Sequence, residues 1–136
     1  MKMGLGRGSR AMIGVMVMVW VWILESEMRS LSYALTYKVG DSRGWAFNVS
    51  DWPRGKTFMA GDVLEFNYAF GMHNVMQVEK FFYDQCIPIP KIGGGIGDNV
   101  HWSGNDQIKL PSGQSYFICG YLGHCQAGMK IAVNAI

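Results

Sequence analysis

Four side chains in this 136-residue sequence could together hold one soft metal. Cys119, His124 and Met129 stand five residues apart in F-I-C-G-Y-L-G-H-C-Q-A-G-M-K-I, and His73 lies far upstream in G-M-H-N-V. They offer one thiolate, two imidazoles and one thioether. Two imidazoles and a thiolate in a plane, with a weak axial thioether, are the donors of a blue, type 1 copper site; soft sulfur favours Cu(I), and imidazole accepts both oxidation states. One copper ion is therefore the expected cofactor, and one-electron transfer the expected chemistry.

The segment before these residues differs in kind. Lys2, Arg7 and Arg10 precede an apolar run from Ala11 to Leu24, closed by Glu25 and Glu27. A basic stretch followed by an apolar one has the form of a secretory leader, and the run is shorter than the roughly 20 apolar residues of a spanning helix. Small residues in Ser32-Tyr33-Ala34 suit cleavage after Ala34, which leaves a domain over residues 35–136. The leader holds four basic and two acidic residues, whereas residues 35–136 hold eight of each. A formally neutral domain argues against nucleic acid or an anionic membrane as partner, because both are bound through clustered Lys and Arg. The chain's last residues, Ala132-Val133-Asn134-Ala135-Ile136, show no lipid-anchor signal. A free, secreted monomer is expected.

Three cysteines in a secreted domain leave one over. If Cys119 binds metal, Cys86 and Cys125 remain to pair, which suits an oxidising compartment and a small core. Two alternatives stay open on these grounds: a Cys86–Cys119 bridge with Cys125 free, or a zinc site of Cys86, Cys119, Cys125 and His124. Closed zinc sites usually contain closely spaced ligand pairs, and Cys119-x5-Cys125 has no second pair.

To bring His73 to the other three, the elements between them must close on themselves. Thr36–Val39, Val63–Tyr68, Asn74–Val78, Gln107–Leu110, Ser115–Ile118 and Met129–Val133 are β-branched or aromatic runs bounded by turn formers, and no 3.6-residue period is sustained. Ala60-Gly61-Asp62 and Pro111-Ser112-Gly113 read as turns. Trp45, Phe47, Trp52, Phe58, Phe66, Tyr116 and Phe117 are the expected core aromatics. Regular short strands predict an all-β sandwich. Gly120 to Gly128 becomes a loop between the last two strands, and His73 reaches the same end from a loop between two others.

Further stretches carry a resemblance: Asp106-Gln107-Ile108-Lys109-Leu110-Pro111, Gly113 to Cys119, Gly123-His124-Cys125-Gln126 and Gly128 to Ala135, with Trp52-Pro53, Ala60-Gly61-Asp62, Phe66-Asn67-Tyr68 and Met72-His73-Asn74-Val75 upstream. Most of residues 36–136 resembles the plantacyanins, in the phytocyanin family of cupredoxins. The resemblance implies a cupredoxin-like Greek-key β-sandwich, copper held by His73, Cys119, His124 and Met129, a Cys86–Cys125 disulfide, and secretion from a plant cell to the apoplast or wall. Two features depart from it. Plantacyanins are basic where residues 35–136 are neutral, and the Pro- and Gly-rich stretch Ile87–Asp98 is longer than the family's pattern.

Other candidates carry less. His101 lies outside every ligand motif and reads as a surface residue. Of Met72 and Met76, one is expected in the core and one at the rim. The Gly93–Gly97 cluster lacks the Lys-Ser/Thr of a phosphate loop. Acidic residues are dispersed, with no pair for acid–base work and no nucleophile elbow, so an enzyme is not expected. Asn48-Val49-Ser50 is a glycosylation sequon. The expected function is a secreted one-electron carrier, served by a redox partner protein or a small-molecule donor. An extracellular signalling or adhesion protein of plant reproductive tissue or cell wall, with copper mainly structural, is the alternative.

Overall fold

The computed structural model describes residues 8–28, 33–93 and 97–136, and the chain divides into two compact units, Met1–Tyr33 and Ala34–Ile136. In the first, helix α1 spans Gly8–Met28, and its side chains from Arg10 to Trp22 are exposed. Among the described residues no helix is long and apolar enough to cross a membrane. Of the expected cleavage motif, Ser32 lies outside the described residues, as does the centre of the long loop at 94–96.

Among its described residues the second unit has seven strands: β1 (Thr36–Lys38), β2 (Val63–Asn67), β3 (Val75–Val78), β4 (Val100–His101), β5 (Asn105–Lys109), β6 (Gly113–Ile118) and β7 (Lys130–Ala135). They form two sheets, ordered β1-β2-β5 and β4-β3-β6-β7. β1 runs parallel to β2; the pairs β2–β5, β3–β4, β3–β6 and β6–β7 are antiparallel. Alternation explains the two-layer form. Leu64 and Phe66 of β2 point inward between half-buried neighbours, and Ile131, Val133 and Ala135 of β7 do the same from the other sheet. Between the layers lie Trp45, Phe58, Phe66 and Phe117, with the Trp45 and Phe66 rings edge to face at 5.0 Å. Asp62 is buried in its turn and accepts the N–H groups of Leu35 at 2.9 Å and Met59 at 2.8 Å.

Three expected core aromatics sit elsewhere. Phe47 is 40 % exposed. Trp52 is only partly buried at the edge of the main core. Tyr116 joins a smaller cluster on the outer side of the second sheet, with Tyr83 5.3 Å away. That cluster rests on a helix the sequence did not signal, α2 (Lys80–Gln85). Six residues are too few to display a period. α2 ends at Cys86, whose φ of 52° turns the chain back. Strand β4 also went unread, being two residues long.

Because β2 lies in one sheet and β3 in the other, the chain crosses between layers at residues 68–74, where His73 lies. The β6–β7 connection carries the remaining candidate ligands.

Candidate metal centre

Cys119 immediately follows β6 and is 1 % exposed. The loop after it folds onto itself: His124 N–H donates to Tyr121 O, Ala127 N–H to Gly123 O, and Gly128 N–H to Cys125 O. Met129 closes it. Its N–H donates to His124 O at 3.1 Å and its carbonyl accepts Cys119 N–H at 3.0 Å. The backbone thus holds Met129 against two other candidates, with its side chain fully buried in the cluster that contains Cys119.

His73 reaches this loop through its neighbours. Asn74, 2 % exposed, accepts Gly120 N–H on its side-chain oxygen at 2.6 Å, and its carbonyl accepts the Trp45 indole N–H at 2.9 Å. Tyr121 donates its hydroxyl to Gly71 O at 3.2 Å. Residues adjoining His73 and Cys119 therefore brace one ligand segment on the other.

The outcome is a cluster of three donors, His73, Cys119 and His124, whose ligand atoms lie within 4.8 Å of one another. Nδ1 of His73 is 3.0 Å from Nδ1 of His124. Cys119 Sγ is 3.5 Å from Nδ1 of His124 and 4.0 Å from Nδ1 of His73. A first-row ion with metal–nitrogen bonds of about 2.0 Å and a metal–thiolate bond of about 2.3 Å would span edges of roughly 3.5 to 3.7 Å. The observed triangle differs from that by about half an ångström or less on each side, so the donors are already gathered.

Electrostatics agree. Burial pushes the Cys119 thiol up, while backbone hydrogen bonds from Asn74 and Tyr121 pull it down; a buried thiolate needs those N–H groups and a cation. His73 is held below the usual histidine value, by burial first and then by the neighbouring His124 charge. Its neutral, lone-pair-bearing form is the one that binds metal.

Cys86 and Cys125 are bonded at 2.00 Å, and Cys119 is the free cysteine. The disulfide settles the pairing and removes two thiolates from the zinc alternative. His101 is half-buried on β4, outside the cluster; its carbonyl accepts the Tyr68 hydroxyl at 3.3 Å. Met76 is in the core and Met72 exposed.

Phe47 has a place that sequence reading missed. Its ring stands edge-on to both imidazoles, 5.6 Å from His73 and 4.9 Å from His124. Tyr121 flanks His124 at 5.5 Å, and Tyr68 lies 6.2 Å from His73. Tyr68 donates to the buried carboxylate of Asp106, which also accepts Ser103 Oγ–H at 2.6 Å. Burial, then the bond to Asp106, raises the Tyr68 phenol well above its usual value. Only an alignment or a structure could single out these residues, since none carries a spacing signal.

A two-sheet sandwich with a His-Cys-His cluster at one end defines a cupredoxin, and the cluster fits one type 1 copper ion. The plastocyanin-like domain family matches residues 20–129. Basic blue protein of Cucumis sativus is 55 % identical over 100 residues, covering 74 % of this chain and 98 % of that one. Chemocyanin of Lilium longiflorum is 43 % identical over 136 residues, 99 % of each. The solved structure of cucumber basic protein, a blue copper protein, superposes with a TM-score of 0.66 at 54 % identity, covering 74 % of this chain and 99 % of that one. The chain belongs to the plastocyanin-like family, in the phytocyanin branch of the cupredoxins.

Proposed function

We propose that this copper protein is a secreted one-electron carrier in which His73, Cys119, His124 and Met129 would hold the copper. The gathered donor triangle around a buried thiol carries the reading. Copper bound there supplies a Cu(II)/Cu(I) couple. The chain's part is to hold the donors still and keep water from Cys119. Asn74 and the loop's own hydrogen bonds do the first; burial does the second. Both imidazoles turn Nδ1 to the cluster and are half-buried, so their far edges offer an electron a short route to the surface. Four protein ligands would fill the coordination sphere, which suits a carrier better than an enzyme. The partner is a redox protein or a small donor, and the chain acts as a monomer without nucleic acid.

Secretion to the apoplast is supported by the disulfide, which belongs to oxidising compartments, and by the leader-like segment, whose compact unit ends one residue before the expected cut. The signalling or adhesion alternative parts from this reading on one point: under it, copper-free protein keeps full activity at the cell surface.

Copper-loaded protein should show an intense visible thiolate-to-Cu(II) band that is lost in Cys119→Ser. A band that survives that substitution removes Cys119 from the site. Met129→Gln should retain copper and lower the reduction potential, because an oxygen donor favours Cu(II); electrochemistry giving an unchanged potential removes Met129.

A further inference from the structure

We propose that Asn48 carries an N-linked glycan that screens the imidazole edge from protein partners while leaving it open to small donors, an inference that rests on the secreted, electron-carrying reading above. In the sequon Asn48-Val49-Ser50 the outer residues are exposed and the middle one is buried. Val49, 4 % exposed, packs in the main core. Among the described residues no hydrogen bond engages the Asn48 side-chain amide, the group a glycan would occupy.

The sequon is fixed beside the metal centre. Asn48 N–H donates to Ala127 O and Val49 N–H to Gly128 O, both at 3.0 Å, so the turn is tied to the ligand loop. The preceding residue is Phe47, whose ring touches both imidazoles. Asn48 adopts a left-handed φ of 57°, which Asn tolerates better than most residues. A glycan there starts one residue from the aromatic that borders the ligands.

Size then discriminates between partners. A stable protein interface covers about 800 Å² on each side, a footprint centred on the imidazoles that would include Asn48 and meet a bulky, hydrated chain. A small reductant needs only the imidazole edge. The predicted result is selective exchange, slow with proteins and fast with small molecules.

The test expresses the full chain in a secretory eukaryotic host. Intact mass should fall on treatment with peptide N-glycosidase for the wild type and for Ser50→Thr, which keeps the sequon, but not for Ser50→Ala, which leaves the Asn48 backbone in place. Copper-loaded protein, before and after deglycosylation, is then mixed with reduced cytochrome c and, separately, with ascorbate. Deglycosylation should speed exchange with cytochrome several-fold and leave the ascorbate rate unchanged. Unglycosylated wild type in the medium overturns the proposal alone; wild type that never reaches the medium overturns the secreted reading and the proposal with it. A glycan whose removal changes both rates equally, or neither, overturns the screening.

Discussion

The loop from Cys119 to Met129 and the loop from Cys86 to Asn99 are joined by one disulfide and share a glycine-rich composition. Their surroundings differ. In the first, a Cβ on Gly120 would come within 3.0 Å of Met76 Cε and 3.3 Å of the Asn74 amide, and one on Gly128 within 3.0 Å of the Asn48 backbone. In the second, a Cβ on Gly93 or Gly97 would meet nothing within 4 Å among the described residues, and Ile92 is 95 % exposed. The long loop is tied at its base, where Lys91 N–H donates to Gln77 O and the Asn99 amide to the carbonyls of Lys91 and Gly93. Glycine permits a path in both loops. At Gly120 and Gly128 close neighbours fix that path, whereas at Gly123 of the same loop a Cβ would meet nothing within 4 Å among the described residues.

The disulfide is the sharpest way to break this comparison, because it serves both loops. It closes a sequence separation of 39 residues, for which the chain-entropy treatment gives about 4 kcal/mol, a model-dependent figure. The double variant Cys86→Ala/Cys125→Ala should lose about that much in denaturant unfolding of copper-free protein. A loss under about 1 kcal/mol would mean that the two loops are held by packing and not by the bridge.

Next comes Gly128→Ala. The site requires φ of +82°, and the new Cβ would press on the backbone of Asn48. That backbone cannot retreat without stretching the bonds from Asn48 N–H to Ala127 O and from Val49 N–H to Gly128 O. A cost of about 2 kcal/mol follows from the strained conformation. Since the adjoining residue is Met129, the visible band of copper-loaded protein should shift as well. A stability loss with no spectral change would uncouple Gly128 from the metal centre.

These contrasts also mark what the sequence could reveal. His73, Cys119 and His124 were legible because few side chains bind soft metals, and three cysteines with one committed to metal leave a single pair. The sandwich was legible from short β-branched and aromatic runs bounded by turn formers, such as Val63–Tyr68, which contains β2. Phe47 was not: an aromatic that borders two imidazoles has the same composition signal as one in a core, and it took tertiary contacts to separate them. Asn74 was visible as a letter beside His73 but not as the brace of Gly120, a contact across 46 residues. Helix α2 lacked the length to show a period. The parallel pairing of β1 with β2 joins residues distant in sequence, Thr36 with Val63, and carries no local signal.

The smallest effect is expected at Gly97→Ala. Its φ of +93° disfavours any L side chain, so the change is not free. The local backbone can move to relieve the strain, because among the described residues no neighbour stands within 4 Å of the new Cβ; the contact most exposed to that movement is the bond from Val100 N–H to Gly97 O. The loss should be about 1 kcal/mol or less, and the position and intensity of the visible band should be those of the wild type. Gly97→Ala and Gly128→Ala therefore make a matched pair: the same substitution, at positive φ in both, with and without surrounding contact. If Gly97→Ala shifted the band as far as Gly128→Ala, the strain would be travelling through Cys86–Cys125 into the ligand loop, and the two loops would have to be treated as one mechanical unit.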